Sequence, residues 1–256
     1  VFIYYLGVEY LGINGLFSDV LNLLSLADLG FTTAMTFSFY KPLAEKDYKK
    51  MAGLSSFYRK IYLVIAIAVT VIGLALIPFL GYIVNVENEI PHLTIYYLLS
   101  LAGVVVSYVC VYKTAVITAD QKGYIVTKIT MITSVVKTIL QIIILVLYRN
   151  YIAYLVIGVV VNLLNNIIAS IVAEKHYPFI RDNYELSKEE KKSIWNNISS
   201  MFIYKASSVM LNATDNILIS IIVSTAMVGY YSNYLMLQTK VTMFYSLIFT
   251  SMTASI

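Results

Sequence analysis

The chain has 256 residues, of which 59% are hydrophobic and 12% charged, with a formal net charge of +4. Its mean hydropathy of +0.78 sets it far from soluble globular proteins, in which about a quarter of the residues carry charge. That balance excludes an ordinary soluble domain and makes lipid the natural solvent.

Taken in chain order, Val1–Leu6 reads as the tail of an apolar first helix, with no basic start and no small-residue cleavage site of a secretory signal. The missing upstream part of that helix is expected to be about 20 residues. Further spans are expected over residues 14–38, 61–84, 92–112, 129–148, 151–173, 196–222 and 230–254. Runs free of Asp, Glu, Lys and Arg extend over 61–86, 90–112 and 150–173, each near the roughly 20 residues that cross about 30 Å of hydrocarbon as a helix. A closed barrel would instead show alternating segments of about ten residues. The expected fold is therefore all-α, a polytopic membrane helix bundle.

Basic residues collect in alternate loops. Residues 40–60 carry Lys41, Lys46, Lys49, Lys50, Arg59 and Lys60; residues 113–128 carry Lys113, Lys122 and Lys128; residues 174–192 carry Lys175, Arg181, Lys188, Lys191 and Lys192. By the positive-inside rule these loops lie in the cytoplasm and the protein is a multi-pass protein of the cytoplasmic membrane. The intervening loops hold Glu87 and Glu89, then Arg149 alone, then no charge over 224–229. The positive net charge is thus a topological signal, and no nucleic-acid partner is expected.

Ser187 to Lys192 reads as a capped, surface-lying helix start leading to Trp195 at the membrane interface. Gly73, Pro78 and Gly81 mark an expected kink in the third span. Cys110, the single cysteine, can form neither a disulfide framework nor a metal site and is expected to pack or to face lipid. His92 and His176 lack metal-ligand spacing, and no metal or organic cofactor is expected. HExxH, P-loop and GxSxG motifs are absent, and the protein is expected not to be an enzyme.

An internal repeat emerges when Gly12 is aligned with Gly229, an offset of 217 residues. Leu11 then falls on Val228, Gly7 on Ser224 and Phe17 on Tyr234, and the matched segments are six spans apart.

The run Ile3-Tyr4-Tyr5-Leu6-Gly7-Val8-Glu9-Tyr10-Leu11-Gly12-Ile13-Asn14-Gly15-Leu16-Phe17 continues into Leu24-Ser25-Leu26-Ala27-Asp28-Leu29-Gly30. Tyr40-Lys41-Pro42-Leu43-Ala44-Glu45-Lys46-Asp47 follows, and later come Thr214-Asp215-Asn216-Ile217-Leu218-Ile219-Ser220 and Val228-Gly229-Tyr230-Tyr231-Ser232-Asn233-Tyr234. Together these resemble the Wzx-type oligosaccharide flippases of the multidrug/oligosaccharidyl-lipid/polysaccharide superfamily, across nearly the whole chain. The resemblance implies a MATE-like architecture of two six-helix lobes around a lumen that opens alternately to the two sides. Residues 1–192 would form the first lobe and its connector, and residues 193–256 the first two helices of the second. It also implies transport of undecaprenyl-pyrophosphate-linked oligosaccharide units to the outer leaflet for capsule, O-antigen or exopolysaccharide, driven by an ion gradient. A polysaccharide polymerase and other assembly proteins would be partners, beside the lipid-linked oligosaccharide and the bilayer.

Charges inside hydrocarbon are costly and mark cavities or partners. Lys137, Lys205 and Lys240 are candidate contacts for a pyrophosphate in the lumen, a role a compact ammonium suits; the alternative is a lysine that snorkels or pairs with an aspartate. Asp19, Asp28 and Asp215, the last flanked by Asn212, Thr214 and Asn216, are candidates for coupling to Na⁺ or H⁺; the alternative is an interhelical hydrogen bond or ion pair. Two other functions compete. A cation-coupled multidrug exporter of the same superfamily would want acidic and aromatic groups rather than lysines. A membrane polymerase or glycosyltransferase would bring a sizeable outer loop, which this chain lacks.

Overall fold

A computed structural model describes residues 1–24, 31–84, 90–182, 184–196 and 215–253, with residues 33 and 243–253 as backbone only. Every regular element among the described residues is a helix. In chain order they are α1 (Phe2–Leu6), α2 (Val8–Leu24), α3 (Phe31–Glu45), α4 (Tyr48–Ala75), α5 (Leu80–Ile83), α6 (Leu93–Tyr108), α7 (Val111–Ala119), α8 (Gly123–Tyr148) and α9 (Tyr151–His176). Then come α10 (188–196) and α11 (215–222), and finally α12 (Thr225–Thr253).

Three of the described stretches are long and apolar enough to cross a membrane: Tyr48–Ile83, α8 and α9. The pair α6 and α7 passes the same test as one span bent by 47°. The apolar surface faces outward, as lipid requires: α8 buries only Leu145 fully, while Met131 and Leu147 are 69% and 67% exposed. In water such a surface would drive aggregation.

Helix bounds correct the expected loops. The basic stretch 40–60 is almost wholly helical, because α3 runs through Pro42 to Glu45 and α4 begins at Tyr48. The reversal takes two residues: Lys46 adopts a left-handed φ of 56°, and Asp47 caps α4 by accepting from the Lys50 amide at 3.0 Å. The stretch 113–128 is likewise α7, a short turn at 120–122 and the start of α8. The break expected near 7–13 falls on Gly7 alone, whose φ of 94° separates α1 from α2. The expected single span at 92–112 is divided at Val109–Cys110, and Cys110 lies buried at that division. Near the expected kink, α4 ends at Ala75 and a 3₁₀ turn at Ile77–Phe79 carries Pro78, which fits the lost donor of proline.

The basic stretches meet at one end of the bundle. Lys50 Nζ pairs with Glu190 at 3.0 Å, Tyr177 donates its hydroxyl to Asp120 at 2.6 Å, and Glu174 holds Lys113 at 2.6 Å and Arg181 at 2.7 Å. The Ser187 hydroxyl accepts from the Glu190 amide while Glu190 Oε2 accepts from the Ser187 amide, a reciprocal cap that starts α10. At the other end, Arg149 sits over the Tyr5 ring, and Ser220 donates to the Ile83 carbonyl at 2.7 Å.

The repeat-related helices α2 and α12 cross in direct contact. A Cβ on Gly12 would collide with the Thr225 carbonyl and approach the Gly229 amide; one on Gly229 would collide with the Val8 carbonyl and approach the Gly12 amide. Val8 and Thr225 are separated by the same 217 residues as Gly12 and Gly229. The contact is therefore reciprocal under the repeat, and only glycine permits backbones this close.

Gly15 stands opposite its own repeat equivalent, Ser232, and a Cβ built on it lies 3.4 Å from the Ser232 Cβ. Disulfides need Cβ atoms about 3.5–4.5 Å apart. In a Cys110→Ala background, Gly15→Cys with Ser232→Cys is expected to oxidise to an intramolecular disulfide, detected by mass spectrometry of the digested protein. The reduced pair alone would contradict the crossing.

At the basic end, the Lys122 ammonium and then the Tyr177 hydroxyl hold the Asp120 carboxyl below its ordinary value. Lys50, followed by the Ser187 amide, does the same for Glu190. A depressed carboxyl pKa stabilises the fold above the unfolded value of about 4 and ceases to do so as pH falls through the folded value. Hydrogen-exchange protection of the 120–122 turn and of the first turn of α10 is therefore expected to stay level from pH 8 to about pH 5 and to fall only below about pH 4.

Candidate functional site

Along α8 the residues Thr130, Thr133, Ser134, Lys137 and Gln141 recur at helical spacing, so one face of an otherwise apolar span is polar. These residues line a cavity of about 520 Å³ whose other walls come from α2, α6 and α9. α2 contributes Asn14, Ser18 and Asn22; α9 contributes Asn162 and Asn165. Sugar hydroxyls or water suit such a wall of amides and hydroxyls better than hydrocarbon does.

Several of these amides are held by the bundle itself. Asn162 donates to the Gly103 carbonyl at 2.9 Å and Asn166 to that of Val106 at 3.3 Å, fixing α9 to α6. Thr133 donates to Asn165 at 2.8 Å, joining α8 to α9. Gln141 donates to the Tyr154 carbonyl at 3.1 Å, and Tyr151 to Asn14 at 3.3 Å. Lys137 is different. Half-buried in the cavity wall, it forms no ion pair or hydrogen bond among the described residues. Its ammonium is the one charged group among the residues that line the cavity.

A second polar group adjoins the glycine crossing. Asn216 donates its side-chain amide to the Asp19 carboxylate, which also bonds Asn22 of the cavity wall. Asp215 lies next to this pair and accepts from the Tyr231 hydroxyl at 3.1 Å. Asn216 is only 5% exposed, and its Oδ1 has no hydrogen-bond partner. The Ser232 hydroxyl, on the same crossing, is also buried without a partner.

Of the site residues expected from sequence, the structure brings Asp19, Asp215 and Asn216 together, and places Lys137 in the cavity. Lys240 lies on an exposed face of α12 and is not part of the cavity wall. Asp28, Lys205 and Asn212 fall outside the described residues. Beyond Asn212, Thr214 and Asn216 beside Asp215, sequence reasoning weighed only charged groups and so missed the amides of the cavity wall. Their signal was present in Asn162, Asn165 and Asn166, three amides on one face of an apolar span, and in the polar stripe of α8.

No family model, no curated protein and no solved structure matches the chain. Among the described residues there is also no group of three or more His, Cys, Asp or Glu able to hold a metal ion.

The Asp19–Asn216 bond joins α2 to α11 across 197 residues of sequence. Asn216→Ala deprives a half-buried carboxylate of one of its two amide donors, and lost donors of this kind cost about 1–3 kcal/mol. A lower unfolding midpoint in detergent is the expected result, whereas Asp215→Asn, at an exposed position, should shift it little.

Proposed function

We propose that this chain belongs to a membrane transporter that moves undecaprenyl-pyrophosphate-linked oligosaccharide units from the cytoplasmic to the outer leaflet, as its resemblance to the Wzx-type flippases implies. The observation that carries this reading is the polar cavity within an apolar bundle, with the unpaired ammonium of Lys137 in its wall. Amides and hydroxyls meet sugar hydroxyls, and the ammonium meets the anionic pyrophosphate. A cationic drug would be repelled by the same wall, which disfavours the exporter of the same superfamily.

The Asp19–Asn216 pair with Asp215 supplies carboxylate and amide oxygens for a coupling Na⁺ or H⁺, next to the crossing of α2 and α12 and linked to the cavity through Asn22. Movement at that crossing would then be felt at the cavity wall. The basic end of the bundle is assigned to the cytoplasm by the positive-inside rule.

The test is translocation of a fluorescent lipid-linked oligosaccharide in sealed vesicles under an imposed Na⁺ or proton gradient. Removing one charge-assisted bond costs about 1.5–3 kcal/mol, so Lys137→Ala is expected to slow translocation about tenfold or more, with Lys137→Arg retaining most of it. Unchanged translocation in Lys137→Ala would remove the cationic site. Efflux of a cationic dye without translocation of the oligosaccharide would instead favour the exporter.

A further inference from the structure

On the outside of the bundle, α4 presents a continuous apolar stripe at spacings of three and four: Leu63, Val64, Ile67 and Val71, each more than half exposed (63%, 65%, 57% and 60%). From Leu63 to Ile83 the chain rises about 30 Å, the thickness of the hydrocarbon layer. Arg59 and Lys60 stand one turn before this stripe and therefore sit at the level of the lipid headgroups.

Beside them, α6 ends and α7 begins at a 47° bend, which opens a groove of about 440 Å³ between α4 and the Val109–Cys110 break. Its lining changes along its length. Leu63, Ala66 and the exposed Val109 form the apolar part, while Ser56, Arg59, Lys60 and Lys113 form the polar part. Lys113 is already occupied, bonded to Ser170 at 2.7 Å and to Glu174 at 2.6 Å. Arg59 and Lys60 make no ion pair among the described residues. Glu185 acts on Lys60 from the connector, but its carboxylate is bonded to Lys191 at 3.1 Å.

We propose that this groove binds the phosphodiester headgroup of an anionic phospholipid, with Arg59 and Lys60 on the phosphate and the acyl chains along the α4 stripe. Two exposed cations at headgroup level ask for an anion, and the apolar stripe directly below them asks for a chain attached to it. A free phosphate would satisfy only the first requirement. Basic grooves between membrane helices on the cytoplasmic side recognise acidic headgroups by this chemistry. The bend at Val109–Cys110 provides the space, and the chain's own Lys113 and Tyr112 close the far side of the groove. The site is separate from the Lys137 cavity and does not rest on the transport reading.

Native mass spectrometry of the purified chain in neutral detergent, with phosphatidylglycerol and phosphatidylcholine supplied in equal amounts, tests it. The unaltered chain is expected to retain phosphatidylglycerol about tenfold over phosphatidylcholine, given the contribution of each basic residue at an anionic headgroup. The R59Q/K60Q variant should lose that preference. K49Q/K128Q, which removes two exposed lysines outside the groove, should keep it, and unfolding midpoints of both variants establish that they are folded. No preference in the unaltered chain, or one that survives R59Q/K60Q or disappears equally in K49Q/K128Q, overturns the proposal. Displacement of phosphatidylglycerol by millimolar inorganic phosphate would show a soluble-anion site and overturn it as well.

Discussion

The exterior of the bundle is apolar and lipid offers no hydrogen bonds, so most polar groups packed between the helices turn to partners in the protein; among the described residues the buried Asn216 Oδ1 and Ser232 hydroxyl do not. That constraint arranges the first part of the chain. Asn162 and Asn166 turn to the carbonyls of α6, near the point where α6 gives way to α7 and the regular helical ladder stops. Ser, Thr and Tyr hydroxyls do the same on a smaller scale: Ser55, Thr70 and Ser100 bond back to carbonyls of their own helices, and Tyr97 reaches the Gly73 carbonyl at 2.9 Å. Side chains that instead reach across to a neighbouring helix, Thr133, Gln141 and Asn162 among them, line the cavity.

Glycine solves a related problem by removing the side chain altogether. At Gly12 and Gly229 the backbones of α2 and α12 touch, a close approach that small residues alone allow. Gly53 and Gly73 work in the same way against side chains, under Leu186 and Leu101 respectively. The first seats the connector on α4, and the second seats α6 on it.

Much of this could be read without coordinates, because a membrane imposes strong rules on composition. The apolar runs, the gathering of basic residues and the cap at Ser187 follow from local chemistry, and the structure has them all. Helix ends were harder. Tyr40 to Lys60 looked like a loop since its lysines are charged, yet lysine is a good helix former and a helix can carry charge once it has left the hydrocarbon. The Val109–Cys110 break has no proline or glycine to announce it; beyond it, α7 packs on α3, α4 and α9. Lys137 was legible as an unusual charge, but its company of amides was not, because asparagine in a span attracts less notice than aspartate. The pairing of Asp19 with Asn216 depends on a long-range crossing that the 217-residue offset hinted at without placing these two residues together.

The reciprocal contact at the glycines has the form of an isologous interface, in which patch i meets patch j and j meets i. Between separate molecules such a contact would need a two-fold dimer and would weaken on dilution. Here both patches belong to one polypeptide, so the second meets the first at an effective concentration set by the intervening, folded chain. The crossing of α2 and α12 is in this sense an internal dimer, whose integrity is independent of protein concentration.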